Sequence, residues 1–341
     1  MSRRLPALLA AACLLVAAGC GDDAEVVRED PIVITESGGP ERTRRGVADP
    51  DAGVRIAVVT HGVASSPFWA IVRKGVETAR RQMGVTATYE APDTYSLPRM
   101  ERLIDEAVAQ RPDGLVVSLP EPGLGAAVRR AVRAGVPVVS INSGSDVAAR
   151  LGVLTHVGQP EEAAGRGAGE RLARAGVRRV LCVNQQVGNQ GLDDRCAGLD
   201  RALRRRGGRS WVLGVDDQDP RTPKRIAGAV RRRDADGVLA LNATTGGLAF
   251  EGLREAGLAG RVRIGTFDLN PDVLQAVRAG RLAFAVDQQA FLQGYLPVVL
   301  LTQRARYGLF PVHGDVLPTG PNFVTRDNAS RALELSRRSI R

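Results

Sequence analysis

Polar side chains stand directly after several apolar runs of this 341-residue chain. Asn142 and Ser143 follow "PVVSI", Asn242 follows "GVLAL", Asp268 follows "VRIGTF" and Gln288 follows "LAFAVD". The side chains of Asn, Gln and Asp are planar, and each engages two neighbouring hydroxyl groups as donor plus acceptor or as a double acceptor. Such a set is suited to binding an uncharged, polyhydroxylated molecule.

An aromatic pair, Phe68 and Trp69, lies near Ser66 in "THGVASSPFW", between a strand pattern and a helix pattern. Aromatic residues make up only 4% of the chain, so two in succession suggest a flat apolar surface for the C–H face of a ring. Phe68 is expected to share a helix face with Ile71, Val72 and Val76, which leaves a core role open for it. Trp69 is expected to point away from that face, toward a crevice. The alternative is that both rings are core packing.

Local capping is the alternative explanation for three of the polar residues. Asn142 lies in "INSGS" and Asn242 in "NATTGG", both rich in capping side chains, and Asp268 precedes a turn at "NP". Their shared place at the ends of strand patterns favours a common cleft over three separate caps.

Short β-branched runs such as "RIAVVT", "GLVVSL" and "RVLCVN" alternate with helical patterns from Val54 onward. This alternation predicts an α/β fold with parallel sheets that are covered by helices on both faces. The stretch beginning "PDGLVVSL" also resembles the one beginning "ADGVLALN", and in this internal repeat Asn142 and Asp268 occupy corresponding places. Ligands of open parallel sheets bind outside the carboxyl ends of the strands, where both residues fall.

The sequence offers little for catalysis. His61, His156 and His313 are far apart and lack metal-ligand spacing, and the chain contains no phosphate-binding loop, nucleophile elbow or His-Glu-x-x-His motif. The stretch "GRGAGE" lies inside a helix pattern, which favours helix packing over dinucleotide binding. Local structural hydrogen bonds are expected for His61 and His156, with a bond from His61 to a ligand hydroxyl as the alternative. We therefore expect a binding protein, not an enzyme, with no cofactor.

The N-terminus, "MSRRLPALLAAACLLVAAGC", has the charged, apolar and small-residue regions of a secretion signal. Its end is similar to a bacterial lipoprotein box, which predicts a signal over 1–19 and acylation of Cys20; a plain cleaved signal is the alternative. Residues 20–53 are polar and rich in Gly and Pro, as expected of a flexible tether.

The formal net charge of +10 comes from arginines dispersed along helical stretches, which favours solvated helix faces over a nucleic-acid surface. Without Cys20, the mature chain retains Cys182 and Cys196. In an oxidising compartment these two are expected to form a disulfide, although spacing alone does not show that their Cβ atoms meet.

Several stretches together resemble bacterial periplasmic sugar-binding proteins of the ribose-binding type, the ligand-capturing components of ABC importers. The resemblance covers Val54 to Thr325 and rests on "SSPFWAIVRKG", "AGVPVVSIN", "VGNQGLDDRCAG", "IGTFDLNPDVLQAVRAGRLAFAVDQQ" and "GYLPVVLL". It implies ligand-binding roles for nine residues: Ser66, Phe68, Trp69, Asn142, Ser143, Asp193, Asn242, Asp268 and Gln288. Asn142-Ser143 replaces the family's Asp-Arg, and Asp193 replaces a family arginine, so the ligand's identity stays open.

The family's fold is a type I periplasmic binding protein, with two Rossmann-like lobes joined by a three-crossover hinge. The expected N-terminal lobe comprises 54–155 plus 289–312, and the C-terminal lobe 156–288 plus 313–330. The crossovers are expected near His156, near Gln288 and around His313. Closure around a sugar or polyol would be a hinge motion.

The resemblance further implies an ABC permease with its ATPase subunit as partners, and attachment to the membrane outside the cytoplasm through the N-terminal lipid. A receptor that passes a sugar signal to a sensor kinase or chemoreceptor is the alternative function. A lac-repressor-like regulator has the same body, but begins with a helix-turn-helix where this chain has a signal and a tether.

Overall fold

The structure, a computed structural model, describes residues 53–62, 66–311, 316–338 and 340. Two six-stranded sheets alternate with helices. The first sheet has the order β11-β5-β4-β3-β1-β2 and all its strands are parallel. These strands are β1 (Arg55–Val59), β2 (Thr86–Glu90), β3 (Gly114–Ser118), β4 (Val138–Ile141), β5 (Thr155–Gly158) and β11 (Val316–Pro318).

The second sheet has the corresponding order β12-β10-β9-β8-β6-β7, in which only the pairing of β12 with β10 is antiparallel. Its strands are β6 (Arg179–Asn184), β7 (Arg209–Gly214), β8 (Gly237–Ala240), β9 (Arg263–Phe267), β10 (Phe284–Asp287) and β12 (Asn322–Val324). The shared strand order agrees with the internal repeat in the sequence.

Eleven α-helices lie within the described residues, besides short 3-10 helices at Pro122–Leu124 and Ala149–Leu151. They are α1 (Pro67–Met83), α2 (Leu97–Ala109), α3 (Gly125–Arg133), α4 (Ser145–Ala148), α5 (Glu161–Arg174), α6 (Gln190–Arg204), α7 (Thr222–Arg233), α8 (Ala243–Glu255), α9 (Pro271–Arg278), α10 (Ala290–Tyr307) and α11 (Ala329–Ser336). Within the described ranges, no helix combines the length and apolarity that a membrane crossing requires.

Both faces of each sheet are covered, as the continuous apolar strands predict. Every residue of β3 is buried, because helices pack on the two sides of the sheet and leave no solvated face. Separate apolar clusters fill the two faces: Ile104 and Leu124 belong to one cluster of the first sheet, and Val72 and Leu301 to the other.

The chain passes between the sheets three times, and two of the expected boundaries move. The first crossover follows β5, all of which pairs in the first sheet, so a boundary between residues 155 and 156 cuts through a strand. The second follows β10, at Gln288. The third was expected around His313, which lies outside the described residues. It falls at 319–321 instead, because β11 pairs with β5 and β12 pairs with β10.

Helices α5 and α6 pack closely through glycines, including those of "GRGAGE". A Cβ atom on Gly165 would collide with the carbonyl oxygen of Arg195, and one on Gly169 would come within 2.8 Å of the Ala202 Cβ. The helix-packing interpretation of this stretch is therefore confirmed. Cys182 of β6 and Cys196 of α6 form a disulfide with a Cα–Cα distance of 5.9 Å, which ties α6 to its sheet.

Candidate functional site

Asn142 and Asp268 occupy equivalent positions at the carboxyl ends of β4 and β9. Each has a φ of 64°, a left-handed conformation that Asn and Asp tolerate better than most residues. The two sheets bring these two side chains to one region, where a glutamine from the second crossover lies between them.

Gln288 is the centre of a polar network that joins the two halves of the molecule. Its Nε2 donates to Asp268 Oδ1 at 2.6 Å, and its Oε1 accepts from Asn142 Nδ2 at 3.3 Å. The same Oε1 accepts from Gln293 Nε2 at 3.1 Å, and Gln293 is fully buried in α10. Three of the predicted site residues are thus in one hydrogen-bonded group.

Ser143 extends the network to α6 of the other half. Its Oγ lies 3.1 Å from Asn142 Oδ1 and 3.2 Å from Asn189 Oδ1, and its single hydroxyl hydrogen serves one of these acceptors at a time. Beside this contact, the backbone N–H of Gln190 donates to the carbonyl oxygen of Pro120 at 2.9 Å. The loops after β3 and β4 therefore bond directly to the N-terminus of α6.

Burial raises the pKa of the Asp268 carboxyl from 3.8 to about 6. The Arg195 guanidinium and the hydrogen bond from Gln288 oppose this rise, while the carboxylates of Glu161 and Asp287 add to it. The residue keeps intermediate solvent exposure although its carboxyl group is enclosed by protein. At neutral pH Asp268 is mostly ionised, so its carboxylate oxygens can accept hydrogen bonds from hydroxyl groups.

Phe68, not Trp69, faces this carboxylate. Phe68 and Ile71 line a small cavity together with Asp268 and Gln288. The prediction that Trp69 points into the crevice is wrong for this conformation: its side chain is 8% exposed and packs in the core with Val72. The physical reason is helical phase, since the buried residues of α1 recur from position 69 at three- and four-residue steps.

Asn242 and Asp193 are engaged in local structure. Asn242 is the N-cap of α8, where its Oδ1 accepts from the Thr245 N–H at 2.7 Å and its Nδ2 donates to Asp217 at 3.0 Å. Asp193 accepts from Asn184 Nδ2 at 2.8 Å and from the Gly188 N–H at 3.1 Å, which braces the loop before α6. The capping alternative thus accounts for the Oδ1 contacts of Asn242.

Ser66 occupies the N-cap position of α1 and makes no side-chain capping bond there. It is partly exposed. Its predicted ligand-binding role stays a prediction, as does that of Asp193.

Two buried histidines pair with serines, as expected of structural hydrogen bonds. His61 Nδ1 lies 2.8 Å from Ser118 Oγ, and His156 Nδ1 lies 2.9 Å from Ser140 Oγ. Burial lowers the pKa of His61 to about 3 and that of His156 to about 4, so both are neutral at pH 7. Across the described ranges, no group of three or more His, Cys, Asp or Glu side chains is arranged to hold a metal ion.

The sequence interpretation missed Asn189, Gln293 and Arg195. Asn189 had a usable signal, because an Asn directly before a helix is a typical N-cap. Gln293 lies inside α10 and had no such signal. Arg195 is two residues after the expected Asp193, and a buried arginine there forms an ion pair with Glu161 that only the packing of α5 against α6 reveals.

The comparisons with known proteins agree with this architecture. The model of the periplasmic binding protein domain matches residues 56–308. A carbohydrate transporter from Acidothermus cellulolyticus, solved with myo-inositol, is 33% identical, covers 85% of this chain and all of its own, and superposes with a TM-score of 0.79.

Two further relatives are more distant. An ABC transporter solute-binding protein from Burkholderia graminis, solved with D-arabinose, is 25% identical over 82% of this chain and 97% of its own, with a TM-score of 0.73. The xylose/arabinose-binding protein XylF of Sulfolobus acidocaldarius is 24% identical over 86% of this chain and 79% of its own. This chain belongs to the periplasmic binding protein family, in its two-lobed α/β form, and the family places it outside the cytoplasm.

Proposed function

We propose that this protein is the substrate-binding component of an ABC importer and captures a monosaccharide or cyclic polyol between its two lobes. The observation that carries the proposal is Gln288, which joins Asp268 of one sheet to Asn142 of the other. The 33% identical relative was solved with myo-inositol, and a ring of adjacent hydroxyls suits a site of amides arranged around the Asp268 carboxylate.

The chemistry of the site favours a neutral ligand. Asn142 and Ser143 contribute only uncharged groups from the first lobe, and Asp268 is the carboxylate at the centre of the network. Phe68 adds an apolar ring to the lining of the cavity. A ring with hydroxyls on its edge and C–H groups on its face can bond to the polar residues and pack against the Phe68 ring.

Ligand entry requires the lobes to separate. The cavity between Phe68 and Asp268 has room for roughly one water molecule. We infer a hinge motion about the three crossovers, which breaks the bond of Gln190 to Pro120 and that of Ser143 to Asn189. On this basis the proposed lobes are 54–158 plus 289–319, and 159–288 plus 320–336.

The remaining assignments concern location and partners. We propose that residues 1–19 are a signal, that Cys20 is acylated, and that 20–53 tether the body to the membrane; all but Gly53 lie outside the described residues. The partners are an ABC permease and its ATPase. Loss of membrane association in a Cys20→Ser protein, measured by detergent phase partitioning, tests the anchor.

Calorimetric titration with myo-inositol, D-arabinose and D-xylose tests the binding function. We expect one of them to bind, and Asp268→Asn to weaken that binding by about tenfold to a hundredfold, since a hydrogen bond to a charged group contributes about 1.5–3 kcal/mol. Asp272→Asn, an exposed carboxylate on the neighbouring α9, is the matched control and should bind normally. Equal affinities of the Asp268 variant and the wild type would contradict the assigned site.

A further inference from the structure

Arg195 is a buried cation for which the predicted site has no role. Its side chain is 3% exposed, and its Nε and Nη2 donate to the Glu161 carboxylate at 2.6 and 2.9 Å. Glu161 is 4% exposed and also accepts from Gln159 Nε2 at 2.8 Å. Both charges of this pair therefore lie inside the second lobe, where α5 meets α6.

The remaining contacts of Arg195 point toward the ligand site. Nη1 donates to the Leu241 carbonyl oxygen at 3.1 Å, and the guanidinium carbon lies 4.4 Å from the centre of the Phe267 ring. Leu241 directly precedes Asn242, and Phe267 directly precedes Asp268. One guanidinium thus contacts the residue before each of the two polar groups at the ends of β8 and β9.

Fold stability alone does not explain why the ion pair of Arg195 and Glu161 is buried. Replacing a buried ion pair with apolar residues of similar volume is often neutral or stabilising, because desolvation of two charges offsets their attraction. The pair also lies in a strongly acidic neighbourhood, since Glu161 of α5, Asp287 of β10 and Asp268 itself are close together. The positive charge of Arg195 opposes the rise in the pKa of the Asp268 carboxyl that burial causes.

We propose that Arg195 is a positioning residue of the ligand site: through the Leu241 carbonyl oxygen and the Phe267 ring it holds the ends of β8 and β9, and it supplies a positive charge to the region of the Asp268 carboxylate that accepts ligand hydroxyls. The proposal rests on the proposed function for its biological meaning. Its physical content, the effect of Arg195 on Asp268, is measurable without any sugar.

The test compares Glu161→Gln with the double variant Glu161→Gln/Arg195→Met. Neither leaves an unpaired carboxylate at position 161, so the comparison isolates the arginine charge. The readout is the titration of the Asp268 carboxyl by carbon-detected NMR on sugar-free protein, with the resonance assigned through Asp268→Asn. We expect the Asp268 midpoint to rise by about one pH unit or more in the double variant, as an opposite charge at close range implies.

Arg195→Lys is the second variant, because it keeps the charge but loses the planar fork. Its Asp268 midpoint should stay close to that of the wild type, while binding of myo-inositol, or of whichever probe sugar binds, weakens. If Arg195 only stabilises the fold, the double variant and Arg195→Lys should both melt at a lower temperature while the Asp268 midpoints stay unchanged. That result would overturn the proposal.

The two proposals fail separately. If the wild type binds none of the sugars, the proposed function fails, while the NMR midpoints still decide the role of Arg195. If the double variant does not fold, the lysine variant decides the charge effect, because a midpoint that rises despite the retained cation contradicts it.

Discussion

Asn142 and Asp268 share one backbone conformation, with φ at 64° in both, at the ends of the equivalent strands β4 and β9. Both side chains bond to the same residue, Gln288. The internal repeat therefore supplies two matching positions and fills them differently, one with an amide and the other with a carboxylate. The two sides of the cleft are therefore chemically different, so a ligand whose two edges differ would bind in one orientation.

Asp268 should make the stability of the sugar-free protein depend on pH. Its folded pKa of about 6 lies above the ordinary value of 3.8, so the folded state holds its proton more tightly. Ionising Asp268 in the folded state therefore lowers the free energy of unfolding. This loss is absent below pH 3.8, grows as the pH rises to 6 and is complete above it. Relative to Asp268→Asn, the wild type should lose up to about 3 kcal/mol across that window, since each pKa unit corresponds to roughly 1.4 kcal/mol.

Urea unfolding of both proteins at pH 4, 5, 6 and 7 measures this difference. The histidines His61 and His156 titrate equally in both proteins and cancel in the comparison. A constant difference from pH 4 to 7 would show that the folded pKa of Asp268 is not raised.

The two adjacent aromatics should respond in opposite ways to truncation. Trp69→Ala removes a buried ring from the first-lobe core and should cost about 3–5 kcal/mol of unfolding free energy. Phe68→Ala removes a partly exposed ring from the cavity wall, so it should cost less stability and weaken sugar binding more. Melting and calorimetric titration of both variants check this, and a stable Trp69→Ala protein that has lost binding would contradict it.

The disulfide should contribute to stability through chain entropy. Cys182 and Cys196 are 14 residues apart, and a loop of this size corresponds to about 3 kcal/mol. A Cys182→Ala/Cys196→Ala protein should therefore unfold at lower denaturant concentration than the oxidised wild type. Reduced wild type is the control: it lacks the cross-link but keeps both buried sulfur atoms, so it should unfold below the oxidised wild type and at or above the double variant.

Helix packing makes Gly165→Ala destabilising, because the added Cβ meets the Arg195 carbonyl oxygen. The matched control is Gly247→Ala in α8, where a Cβ meets nothing within 4 Å. That substitution should stabilise by about 0.5–1 kcal/mol, the usual gain from replacing an exposed helical glycine. Thermal melts of the two variants should shift in opposite directions, and a Gly165→Ala protein as stable as the wild type would contradict the close approach.

The long apolar strands and the repeat were predictable because their signals are local. β6 occupies the whole of "RVLCVN", and the repeat alone aligned Asn142 with Asp268. β11 and β12 escaped prediction because three residues are too few to show a pattern, and β5 because its sequence, "THVG", contains no apolar run. Trp69 was assigned to the wrong face because the faces of α1 are set by β1 and α10, elements distant in sequence.

The bond from Gln190 to Pro120 joins main-chain atoms only. Apart from a proline at position 190, which removes the donor, a substitution at either residue leaves this contact chemically available. The side chains that we propose contact the ligand lie on other residues, among them Asn142, Ser143, Asp268 and Phe68. The main-chain contact between the lobes is therefore independent of the cleft side chains, whereas the Ser143 contact with Asn189 is not. Substitutions of cleft side chains could thus change which ligand is bound and leave the bond between Gln190 and Pro120 in place.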